Sequence, residues 1–285
     1  YLSEGEGKLK DKYTVYVVPH THWDREWYGS FQLFRLRLVR LMNKLLALLE
    51  RDPEYTTFNL DGQTIILEDY LEVRPEQRER LARHISKGRL MVGPWYVLPD
   101  EFPVSGESLV RNLLLGGRIA REFGHCVQVG YIPDTFGHIA QLPQILRGFG
   151  LDTTMHFRGL DVGDLKSELW WEAPDGSRVL LHHMSNIYGY CDSGALPADW
   201  DQAADDLRAL APYKARRATT NVLLAMQGCD HMEAREDLPG LLRHASQKVA
   251  EGEFVHASLE DFATALKAAI AGVELQTVRG ELRDV

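Results

Sequence analysis

Apolar positions along the chain switch between two periods, and the switch recurs. Short apolar or β-branched runs at 14–18, 56–60, 89–92, 127–131, 153–157, 178–184 and 221–226 predict strands. Between most of them, apolar residues fall at three- and four-residue spacing. That spacing predicts helices over 34–49, 74–86, 108–123 and 143–149, and Pro75 suits a first helical turn. A last strand and helix are predicted at 254–256 and 259–271. Residues 169–177 read as a hairpin into the sixth strand, with Asp175-Gly176 as its turn.

Seven strands mostly separated by helices predict an α/β fold with a parallel sheet, either closed or doubly wound. Polar residues cluster just after almost every strand, where a β/α barrel carries its chemistry. The expected architecture is therefore a seven-stranded β/α barrel. Without repeats, low-complexity tracts or a linker, residues 1–285 are expected to form one domain. The chain opens on Tyr1 and closes on Arg283-Asp284-Val285, and it is expected to be the N-terminal part of a longer protein.

Composition narrows the partners. A chain of 285 residues with 45% hydrophobic content can bury a core of its own. The net charge of −9 comes with no Lys/Arg stripe, so no nucleic-acid partner is expected. No apolar run approaches the roughly 20 residues of a membrane span, so no membrane partner is expected either. The polar first ten residues lack the apolar core of a signal peptide. Cys126, Cys191 and Cys229 are odd in number and form no CxxC; three thiols and a cytoplasmic setting are expected. A homo-oligomer remains open.

Three post-strand segments hold candidate chemistry. In Pro19-His20-Thr21-His22-Trp23-Asp24-Arg25-Glu26-Trp27, His22 and Asp24 are two apart and leave an extended segment on the same side. An imidazole and a carboxylate so placed suit a divalent metal, or else a strand-end ion-pair network. In Tyr131-Ile132-Pro133-Asp134-Thr135-Phe136-Gly137-His138, Asp134 is a candidate nucleophile or metal ligand, or the cap of a following helix. In Met226-Gln227-Gly228-Cys229-Asp230-His231-Met232-Glu233, Asp230 is a candidate acid/base, or a turn-stabilising residue. Gly93-Pro94-Trp95-Tyr96-Val97-Leu98-Pro99-Asp100-Glu101 adds aromatic and acidic groups. Trp95 and Trp27 suit the apolar face of a sugar ring and Asp100 its hydroxyls, although such aromatics also serve as packing.

Together these segments resemble glycoside hydrolase family 38, the α-mannosidases. HTHWDREW, YIPDTFGH, LDGQ at 60–63, GPWYVLPDE at 93–101 and GCDH at 228–231 match its blocks in order, and the resemblance runs from about Val15 to the end. It implies zinc, or another divalent ion, bound by His22, Asp24 and Asp134. It also implies Asp134 as the nucleophile that forms a covalent mannosyl intermediate, Asp230 as the acid/base, Trp27 beneath the sugar and Arg158 close to the nucleophile. The implied substrate is a mannose-containing oligosaccharide or mannoside, cleaved with retention. The family's fourth metal ligand, a downstream His, has no match before Val285, and His231 is not taken for it. Two alternatives stay open: a metal-dependent carbohydrate deacetylase on a similar barrel, and a sugar-binding domain whose catalytic site has decayed.

Overall fold

The computed structural model describes residues 12–161, 163–184 and 189–283; the polar first ten residues and the final Asp284-Val285 lie outside them. The chain opens with β1 (Tyr13–Thr21), buried over most of its length. Long buried Val-rich strands of this kind belong in the middle of a parallel sheet, where both faces are covered. β8 (Val222–Gln227) runs parallel to β1 on one edge. The other edge is shared by β9 (Gly252–His256) low down and β2 (Phe58–Leu60) at the C-terminal end. β3 (Leu90–Met91) extends this sheet beyond β2.

A second sheet has the order β10 (Thr277–Arg279), β6 (Glu168–Glu172), β7 (Arg178–His183), β5 (Thr153–His156), β4 (Gly130–Tyr131). Within it only β6 and β7 pair antiparallel, as the hairpin predicted around Asp175-Gly176. Among the described residues the ladders thus form two five-stranded sheets, and the fold is mixed α/β with mainly parallel strands. The seven predicted runs all contain strands, and the predicted last strand pairs with β1.

Helices cover the sheets. α1 (Phe31–Arg51) buries Phe34, Leu38, Leu41, Met42, Leu45 and further leucines on one stripe, the pattern read from the sequence. α3 (Arg78–Ser86), α4 (Gly106–Glu122), α5 (Leu142–Gly148) and α8 (Leu259–Ala269) fall where expected. α2 (Ile65–Val73), α6 (Trp200–Ala215), α7 (Leu238–Lys248) and β10 were not foreseen. α2 is apolar on several sides and shows little stripe, and α6 buries only Ala203, Ala204, Leu207 and Ala211 around an internal Pro212. None of the described helices is long and apolar enough to cross a membrane.

The strand ends at which β1, β2, β4 and β8 stop meet at one end of the molecule. An isolated parallel bridge pairs His22 with Asp230, carrying the β1–β8 ladder past both strands. This shared end holds all three candidate segments.

Candidate active site

His22 follows β1 directly and is almost fully buried. Its Nε2 has no hydrogen-bond partner among the described residues. Asp24 Oδ1 lies 3.5 Å from that atom and Asp134 Oδ2 lies 3.9 Å from it. An orphaned imidazole nitrogen facing two carboxylate oxygens is a donor set suited to a divalent cation, and His22, Asp24 and Asp134 fit the implied metal in kind. Burial works against the charge on Asp24, but His22 and His231 outweigh it and hold its carboxyl well below the usual carboxylate range.

Asp134 lies beyond β4, on the loop shaped by Pro133 and Gly137. Arg158 donates to its Oδ1 from Nη2 at 2.8 Å, so the loosely matched arginine does meet the candidate nucleophile. The guanidinium also lies over the rings of Phe136 and Phe157. The loop is fixed from below. Thr135 Oγ1 donates to the Pro99 carbonyl at 2.7 Å, and His138 Nδ1 lies 2.7 Å from buried Glu101 Oε1. Burial pushes Glu101 up to about 8 and His138 down to about 3, so burial disfavours the charged form of both partners.

Asp230 sits beside His22 across the bridge. Tyr190, whose ring tilts against His22, donates its hydroxyl to Asp230 Oδ1 at 2.9 Å. Burial, then the charges of Asp134 and Asp230, push the Tyr190 phenol far up, which keeps it a donor. Tyr190 escaped the sequence reading because it follows no predicted strand end directly and carries no motif. Gly228 shapes the turn before Asp230. A Cβ there would meet the His20 carbonyl oxygen at 1.9 Å, so only glycine fits this approach of β8 to β1.

Trp27 is 65% exposed on the loop after β1, free to face a ligand. Asp100 is exposed, next to Glu101 on the segment tied to the Asp134 loop. Trp95 corrects the sequence reading. It is 0% exposed, packed in a core with Leu109 and Leu113 of α4, where Gly116 brings the helix against its backbone. Trp95 is therefore a core residue and offers no face to a sugar.

The cysteines are a second correction. Cys191 and Cys229 form a disulfide, and only Cys126 is a free, buried thiol. The partners are 38 positions apart and meet only because the segment after Tyr190 docks on the end of β8, with Ser193 N donating to the Met226 carbonyl. The pairing removes the cysteine-based ground for a cytoplasmic setting. Cys191, Cys229 and Asp230 also place potential ligand atoms within 4.8 Å of one another, but both sulfurs are committed to the disulfide, so this cluster does not suit a metal.

Residues 12–281 match the model of the glycosyl hydrolases family 38 N-terminal domain. The chain belongs to glycosyl hydrolase family 38. Among its relatives, a "putative mannosylglycerate hydrolase" of Halalkalibacterium halodurans is 39% identical over 96% of this chain and 32% of its own. Human alpha-mannosidase 2C1 is 30% identical over 62% of this chain and 17% of its own. The crystal structure of an alpha-mannosidase from Enterococcus faecalis V583 superposes with a TM-score of 0.89 at 39% identity, covering 95% of this chain and 31% of that one. The chain thus spans about a third or less of the length of these relatives. The structure of a "putative polysaccharide deacetylase" from Mycobacterium smegmatis, at 12% identity and a TM-score of 0.60, shares the fold alone.

Proposed function

We propose that this family 38 chain supplies the catalytic domain of a metal-dependent, retaining α-mannosidase. The observation that carries the reading is the meeting of Asp134, Asp230, Asp24 and His22 at one strand end, with Arg158 on Asp134 and Tyr190 on Asp230. Strands β1, β2, β3 and β8 of one sheet and β4, β5 and β7 of the other are read as the two walls of the seven-stranded barrel.

Arg158 orients the Asp134 carboxylate, which attacks the anomeric carbon of a terminal α-mannoside. Asp230 begins protonated and gives its proton to the departing oxygen. A covalent mannosyl-Asp134 ester results. Asp230, now a carboxylate, then takes a proton from the water that releases mannose with retained configuration. The Tyr190 hydroxyl holds the Asp230 carboxyl in place throughout. Trp27 offers an apolar face beneath the sugar, and Asp100 accepts hydrogen bonds from its hydroxyls. Zinc, or another divalent ion, held by His22, Asp24 and Asp134 would supply a Lewis acid for the sugar hydroxyls. The substrate class is a mannose-containing oligosaccharide or a small mannoside, in keeping with the names its relatives carry.

The test is hydrolysis of an aryl α-mannoside by the full-length, zinc-loaded protein, beside Asp134→Ala. Activity that falls by about a thousandfold or more in the variant is expected. Full activity in Asp134→Ala would refute the nucleophile. No mannoside hydrolysis, together with release of acetate from acetylated sugars, would replace the reading with a deacetylase.

A further inference from the structure

Asp61 and His231 share an unusual backbone. They are the two non-glycine residues in the left-handed region among the described residues, at φ +53° and +56°. Side chains of the L series rarely hold this conformation, because it brings Cβ too close to the following carbonyl oxygen. Such strain persists where the surroundings over-determine it, often at functional sites. Each of the two faces a different one of the adjacent candidate metal ligands.

Asp61 is fully buried at the end of β2. Its Oδ2 accepts from Trp23 N and Gln63 Nε2, both at 2.9 Å, and its Oδ1 accepts from Gly62 N at 2.9 Å. With its own orientation locked, Oδ2 meets His22 Nδ1 at 3.2 Å. The approach is bent from the ideal hydrogen-bond line, and Nδ1 has no other partner among the described residues. A proton held on Nδ1 beside a fixed carboxylate leaves Nε2 bare, and Nε2 is the atom that faces Asp24 and Asp134.

His231 does the same for Asp24. Its ring is wedged between Trp23 and Phe34, with centroids 5.0 Å and 4.7 Å away, and its backbone N donates to the His22 carbonyl at 2.9 Å. Its Nε2 lies 3.2 Å from Asp24 N and 3.3 Å from Asp24 Oδ2. Unprotonated, it accepts from that backbone N–H; protonated, it donates to that carboxylate. Either way Asp24 is gripped from the side away from His22.

We propose that Asp61 and His231 are positioning residues for a metal at this site, Asp61 setting the tautomer and ring plane of His22 and His231 setting the direction of Asp24. The proposal rests on the reading of His22, Asp24 and Asp134 as metal ligands. It assigns work to two residues that the motif reading left out of the ligand set, and it accounts for the strained backbone at both. Residues behind metal ligands typically change metal affinity 10–100-fold when altered.

The full-length protein, stripped of metal, would be titrated with zinc against a chromophoric chelator, and separately loaded with Co(II) for its visible spectrum. The variants are Asp61→Asn and His231→Asn, because asparagine tolerates the left-handed backbone. The expected result is zinc binding weakened about 10–100-fold in each, with a shifted cobalt spectrum, since the ligands change direction. Wild-type zinc affinity in the folded variants overturns the proposal. Weaker zinc with an unchanged cobalt spectrum also overturns it, since that is general destabilisation. Should Asp61→Asn fail to fold, His231→Asn decides alone. His22→Ala and Asp24→Ala serve a separate purpose: zinc binding that survives in both refutes the metal reading itself.

Discussion

At the scale of single residues, the candidate site pairs each of its candidate reactive groups with a side chain that holds it. Arg158 on Asp134 is the clearest case, because a charged donor at 2.8 Å is also buttressed by Phe136 and Phe157. A hydrogen bond to a charged group contributes about 1.5–3 kcal/mol. Arg158→Ala is therefore expected to lower kcat/KM for an α-mannoside by about ten- to a hundredfold. An unchanged kcat/KM would show that Asp134 needs no such partner. Glu101 carries a different prediction. Burial raises its pKa from 4.5 to about 8, with Asp100 adding to the rise, while its neighbour His138 is pushed down to about 3. A carboxyl with a raised folded-state pKa binds its proton more tightly when folded. The stability so linked is present below about pH 4.5 and is lost as the pH climbs through about 8. Glu101→Gln removes the titration, so wild type should lose stability relative to this variant between pH 5 and pH 8. Denaturant unfolding at the two pH values measures it, and a constant difference would mean Glu101 is ionised throughout. His22, Asp24, Asp134 and Asp230 were all legible in the sequence, since each follows a strand end within a recognisable block. Asp61 stood in a quoted block, yet its contact with His22 was invisible, because 39 positions separate two residues that meet only across the β1–β2 pairing.

At the scale of elements, glycine decides how closely the backbone layers approach. Gly116 of α4 is the sharpest example: a Cβ there would sit 2.2 Å from the Trp95 carbonyl carbon and 2.4 Å from the Pro94 oxygen. These neighbours are backbone, which has little freedom to retreat. Gly116→Ala is expected to destabilise the protein by about 1–3 kcal/mol or more through overpacking. Thermal unfolding would read this as a lower Tm, and an unshifted Tm would mean that α4 moves outward at no cost. The same contact explains why Trp95 misled a reading from composition. An aromatic after a strand suits a sugar or a core equally well, and only the helix laid across it assigns Trp95 to the core. Helices with a continuous apolar stripe, such as α1 and α4, were visible in the pattern. α6 was not, because its buried side is mostly alanine, which contributes little to a hydrophobic period.

At the scale of the whole molecule, the covalent and backbone links that join distant segments set the shape of the site. The Cys191–Cys229 bridge closes 38 positions and flanks the Tyr190–Asp230 hydrogen bond. By chain entropy a loop of this size gives on the order of 4 kcal/mol of stabilisation. Reduction with a phosphine should lower Tm by several degrees and raise the thiol count from one to three. Three thiols in the protein before reduction would show that the bridge does not form. Elsewhere, Leu282 exchanges backbone hydrogen bonds with His138 at 2.8 Å and 2.9 Å, so residues near the end of the described chain clasp the Asp134 loop.

The sequence by itself determined the α/β class, the positions of most strands, the family and the residues of the candidate metal and acid/base groups. Those features are local: a strand's period and the motif that follows it are written in a few consecutive residues. The tertiary structure alone decided that the ladders form two sheets, that Trp95 is buried, that Cys191 meets Cys229, and that Tyr190, Asp61 and His231 stand behind the candidate reactive groups. Each of these is a contact between segments far apart in the chain. Such contacts depend on the register and the closest approach of packed layers, which no local pattern of residues encodes.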